Sequence, residues 1–201
     1  MKRAAFALLA LVALPSLALA QPASKAPVPP PPPPAADPAK PSAEILALGA
    51  ALNGTWKCKG KIIADDGASL VDATGTLTNK FDLDKFAVQQ TWTSKRGKVT
   101  HKYTGFITYN PVEKKFTQVN VDNGGNIDIL TSAGMDQGMA GKQGMAWDGE
   151  SRLAAGAPGS TTVKSRAVEN HHAKGDFDVS GDYSFDSGKT WKPVYTLSCK
   201  K

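Results

Sequence analysis

The sequence predicts an all-β domain, an antiparallel up-and-down barrel of about 8–10 strands behind a short N-terminal helix. Three observations carry the prediction. Apolar and polar residues alternate over several runs, turn residues recur between those runs, and two cysteines, Cys58 and Cys199, stand near the two ends of the alternating region.

The segments that precede the domain come first. Lys2 and Arg3 open a basic stretch, an apolar run from Ala4 to Ala20 follows with a break at Pro15 and Ser16, and Ala18-Leu19-Ala20 is a small-x-small cleavage site. Residues 1–20 are therefore expected to be a secretory signal peptide. A spanning helix needs ~20 predominantly apolar residues without such a break, so the processed chain is not expected to cross a membrane. Removing Lys2 and Arg3 lowers the formal net charge from +6 to +4. The expected location is the periplasm or the exterior, where two thiols generally pair, so a Cys58–Cys199 disulfide is expected. Residues 21–41 are rich in Pro and Ala, with six consecutive prolines from Pro29 to Pro34. Such a segment cannot bury a core and is expected to be a disordered linker of extended polyproline II character.

Residues 42–201 are one domain's worth of chain. Ser42 can cap a helix carrying Ile45, Leu48 and Leu52 at helical spacing, ended by Asn53-Gly54. The period then changes to two. Trp56, Cys58, Gly60 and Ile62 share one face of the first strand, with Lys57, Lys59 and Lys61 on the other. Phe86, Val88, Gln90 and Trp92 repeat the pattern, as do His101, Tyr103, Gly105, Ile107 and Tyr109. Phe177, Val179, Gly181, Tyr183 and Phe185 alternate strictly with Asp and Ser, which marks one buried and one wet face. In the last strand Trp191, Tyr195, Leu197 and Cys199 are assigned one face. Asp65-Asp66-Gly67, Lys95-Arg96-Gly97, Asn110-Pro111, Asn123-Gly124-Gly125 and Asp186-Ser187-Gly188 supply the turns. With both sulfurs on inward faces, a bridge from first strand to last is what closure of the sheet permits. A sandwich with an inter-sheet bridge is the competing arrangement.

Leu52-Asn53-Gly54-Thr55-Trp56 resembles the helix-then-G-x-W opening of lipocalins and other calycins. Trp147-Asp148-Gly149-Glu150 and Gly188-Lys189-Thr190-Trp191 extend the likeness to a family of bacterial lipocalin-like secreted domains of unknown function. The resemblance implies a barrel with an internal cavity, gives Gly54, Trp56 and Trp191 structural roles, and carries no established activity. Gly54-Thr55-Trp56 and Gly60 also resemble nitrobindin-type haem barrels. This chain has Cys58 where that pattern has glycine, and no histidine in its last strand, so no haem or other cofactor is expected.

Motifs with chemical content are few. Ser184-Phe185-Asp186-Ser187-Gly188-Lys189-Thr190-Trp191 matches an Asp-box, which as a single copy reads as a hairpin staple. His171 and His172 are adjacent, so a strand would send them to opposite faces, and no metal site is expected there. Met135, Met139 and Met145 read as adaptable apolar filling rather than Cu(I) ligands. No catalytic motif stands out, and the carboxylates read as solvated turn and strand-face groups. The outer lysines, with Lys95, Arg96 and Lys98, suit an anionic envelope component; nucleic acid is not expected as a partner.

The functional expectation is a binding protein holding a small, largely apolar ligand inside the barrel. Alternation selects Phe86, Val88, Trp92, Tyr103, Tyr109, Phe177 and Tyr183 as its lining, with Trp56 plugging the closed end. The alternative is an envelope-associated protein with a filled barrel.

Overall fold

The computed structural model describes residues 39–64, 67–96, 98–135, 143–154, 159–172 and 175–201. The expected signal peptide, most of the linker and Met139 lie outside them. Ten strands follow one helix: α1 (Ala43–Leu52), β1 (Gly54–Ile63), β2 (Leu70–Asp82), β3 (Ala87–Arg96), β4 (Val99–Asn110), β5 (Lys115–Asp122), β6 (Ile127–Ser132), β7 (Gly144–Leu153), β8 (Thr161–His171), β9 (Phe177–Ser184) and β10 (Lys192–Lys200). Every strand pairs antiparallel with its neighbours in sequence, and β10 returns to pair with β1, so the sheet closes into a barrel. No described helix is long and apolar enough to cross a membrane.

The seam is covalent. Cys58 is directly opposite Cys199 in the β1–β10 register, and their sulfurs form the disulfide. Lys57, Lys59 and Lys61 point outward and are exposed, while Trp56, Cys58 and Ile62 are buried. Strict alternation in β1 thus decides which face meets the interior.

Helix α1 closes one end. Ser42 Oγ accepts from the Ile45 backbone N–H at 3.3 Å, and Ile45, Leu48, Gly49 and Leu52 are the buried face. That face packs with Val88, Ile107, Met145 and Trp147, and half-buried Phe81 and Met135 join them. The Leu52 carbonyl, unpaired at a helix end, accepts from Trp56 Nε1 at 3.1 Å and Asn79 Nδ2 at 3.3 Å. The G-x-W opening therefore locks the plug to the wall.

Two assignments of the alternating pattern are corrected. Leu83, Asp84 and Lys85 adopt left-handed φ of 49°, 53° and 70°, so β3 starts at Ala87 and Phe86 belongs to the turn, 38% exposed. The pairing of β10 with β9 slips between Pro193 and Tyr195, a bulge that inserts Val194. The slip breaks the two-residue period, so Trp191 does not share the inward face of Leu197 and Cys199. Its ring instead lies 4.2 Å from the guanidinium of outward-facing Arg166.

The Asp-box forms the β9–β10 hairpin. Asp186 accepts from the Thr190 backbone N–H at 2.8 Å, from Thr190 Oγ1 at 2.7 Å and from Ser184 Oγ at 2.7 Å. Those donors hold its carboxyl low, at about 2.

Candidate functional site

The barrel interior has two halves. A buried apolar cluster fills the helix end, and the opposite half holds a cavity of about 710 Å³ that reaches Leu130, Trp147 and Ala167 of that cluster. That volume suits a small organic molecule. Its walls reach the β1–β2, β3–β4, β5–β6 and β9–β10 hairpins, where exposed Val99 and Phe185 form part of the rim.

Sequence alternation sets the chemistry of the walls. On one side Ile62, Leu77, Trp92, Phe177, Val179 and Leu197 form an apolar surface around the disulfide. Trp92 stacks beside Tyr103, ring centroids 6.4 Å apart. Its room comes from Gly75 on β2, where a Cβ would lie 2.5 Å from the indole; Gly181 on β9 makes the same space for Tyr195, at 2.4 Å.

The other side is polar. Gln118 Nε2 donates to Gln90 Oε1 at 2.7 Å and to Asn120 Oδ1 at 3.3 Å. Asn120 bonds in turn to Asp128, and Ser151 Oγ donates to Asp128 Oδ1 at 2.6 Å. Burial raises the Asp128 carboxyl above the usual carboxylate range, against the lowering effect of the Ser151 bond, and the Asp122 charge adds to the rise. Tyr103, Tyr183 and Tyr195 also face this space, their phenols pushed up by burial and then by neighbouring acidic groups.

At the rim Asp122 fixes three hairpins. Its Oδ1 accepts from the Gly124 and Asn126 backbone N–H groups, both at 2.8 Å. Its Oδ2 accepts from Asn126 Nδ2 at 2.7 Å and lies 2.9 Å from His101 Nε2. Asn126 Oδ1 accepts from the Ala154 backbone N–H at 2.8 Å. Burial alone would raise the Asp122 carboxyl, but the hydrogen bonds from His101, Asn126 and Gly124 outweigh it and hold the group at about 2. This carboxylate is a rivet of the rim.

Of the residues selected by alternation, Trp92, Tyr103, Phe177 and Tyr183 come together on the cavity wall. Val88 is fully buried under α1, and Tyr109 packs against Phe116 at the helix end, centroids 4.9 Å apart. Both have the right face at the wrong depth. Phe86 is outside, for the reason given above. Trp56 is buried and absent from the wall.

Reading the carboxylates as solvated groups is corrected for Asp128 and Glu169, which face the cavity. The alternation of Phe116, Gln118, Asn120 and Asp122 would have revealed a mixed inward face on β5. Gln118 and Asn120 are 7% exposed, as buried as the neighbouring Phe116. His171 stacks on Phe177 at 5.5 Å, whereas His172 lies 2.8 Å from Asp178. Met145 is fully buried in the helix-side core.

No family model matches the chain. No curated protein matches it significantly either.

Proposed function

We propose that residues 42–201 are an exported lipocalin-like binding domain that carries a small amphipathic molecule in the open half of its barrel. The observation behind this reading is the cavity of about 710 Å³ with one apolar wall and one hydrogen-bonding wall. The polar wall changes the expected guest from largely apolar to amphipathic, because buried amides and carboxylates gain from a polar partner. The G-x-W lock between α1 and the barrel supports the lipocalin-like assignment. The Cys58–Cys199 bridge supports export, since such bonds persist in oxidising compartments.

The test is titration of the purified protein with a naphthalene fluorophore, beside Ser165→Phe. Ser165 is buried on the cavity wall, and a phenyl ring there would occupy the guest's space. Saturable binding by the native chain is expected, with affinity falling at least ~10-fold in the variant and Tm changing by less than about 5 °C. No saturable binding by the native chain would refute the carrier.

A second reading concerns the outside of the seam. Lys57 stands directly opposite Lys200, a like-charge pairing that costs stability, and Lys59 and Lys95 border the same shallow groove. An anionic envelope polymer would relieve that repulsion. Salt-sensitive retention on immobilised polyphosphate, lost in Lys57→Gln/Lys59→Gln, is the expected result; retention unchanged in the variant would remove this reading.

A further inference from the structure

We infer that the cavity selects an organic cation, an amine or ammonium group borne on an aromatic or apolar body. This rests on the carrier reading and specifies its ligand class. Among the described residues the wall holds three carboxylates, Asp122, Asp128 and Glu169, and no lysine or arginine. Asp122 is already engaged by His101 and the turn N–H groups. Asp128 hydrogen-bonds to neutral groups, the Ser151 hydroxyl and the Asn120 amide, and feels the His101 ring only through space. Glu169 has the His171 ring 3.5 Å away, yet His171 Nε2 makes no hydrogen bond.

These two carboxylates act on one shared space. Both act electrostatically on the buried phenols of Tyr103 and Tyr195. They also sit at different depths. Asp128 is opposite Ser151 and Ser151 opposite Val163, while Glu169 lies six residues farther along β8 towards the helix end. Carboxyl groups therefore stand at two depths of the cavity. Burial disfavours the Asp128 carboxylate, so a cation entering beside it would stabilise the ionised form that folding penalises.

Trp147 is an independent sign that the space is built for a polar guest. The residue is 1% exposed and lies on the cavity wall. Its indole Nε1–H has no hydrogen-bond partner among the described residues. Trp92, Tyr103 and Phe177 add ring faces, which attract a cation and accept the body that carries it. An anion would meet the carboxylates, and His101, the one basic residue on the wall among the described residues, is already held by Asp122.

The experiment is calorimetric titration of the purified full chain at pH 7 with three probes of one shape: 2-naphthylmethylamine, 2-naphthylmethanol and 2-naphthoate. The amine is expected to bind at least ~10-fold more tightly than the alcohol, and the carboxylate most weakly. Glu169→Gln and Asp128→Asn should each reduce the ratio of amine to alcohol affinity, and an unchanged ratio in both would overturn the assignment. Equal binding of amine and alcohol by the native chain overturns the cation preference and leaves the carrier standing. Binding of none of the three overturns both.

Discussion

Cys58 and Cys199 face each other across the two strands that close the barrel, their Cα atoms 4.0 Å apart and 141 residues apart in sequence. That separation is short even for a closely spaced antiparallel pair. The bridge therefore ties the first strand to the last at the one joint with no local turn. It also forms part of the cavity wall, so closure and binding site share a residue pair.

Loss of that bond should be felt mainly through the unfolded chain, whose freedom it restricts across nearly the whole domain. The double variant Cys58→Ser/Cys199→Ser is expected to lose ~2–5 kcal/mol, the upper end following from a loop of this length. Urea unfolding with and without reductant measures it. An unchanged midpoint in both comparisons would show that the β1–β10 seam holds without the bond.

The plug offers a test in which two effects have opposite sign. Alanine is favoured over glycine in a helix by ~1 kcal/mol. At Gly49, however, a Cβ would lie 2.1 Å from Phe81 Cε1 and 2.3 Å from its Cζ, so the ring must shift. Overpacking of this kind costs ~1–3 kcal/mol. Gly49→Ala is expected to be net destabilising in a denaturant titration, and Phe81→Leu should recover part of the loss. A stabilised Gly49→Ala would show that α1 sits loosely on the barrel.

The rim carries a defined pH dependence. The Asp122 carboxyl is lowered from its ordinary 3.8 to about 2. A group depressed in the folded state adds stability that is present above its unfolded value and is lost as pH falls through the folded one. Stability should thus decline between pH ~4 and ~2, and Asp122→Asn should flatten that decline while lowering stability at pH 7. Acid titration followed by near-ultraviolet circular dichroism reads both changes. An identical acid profile in the variant would remove Asp122 from the rim's charge balance.

Period-two alternation made much of this protein legible. It placed Trp56, Cys58 and Ile62 inside and the lysines between them outside, because side-chain direction in a strand follows from sequence parity alone. Helical spacing from Ile45 to Leu52 and the Ser42 cap likewise announced α1, and the two inward cysteines pointed to the seam. Depth along the barrel was not legible, since parity says which face a residue takes and nothing about which end it is near. Only the tertiary structure separated Val88 and Tyr109, under the helix, from Trp92 and Tyr103, beside the cavity. The Val194 bulge and the left-handed turn before Phe86 also reset parity where no apolar pattern signalled it. The polar wall was the largest surprise for the same reason: Gln90, Asp128 and Glu169 are unremarkable one strand at a time, and become a site only when closure turns β3, β6 and β8 to face a common space.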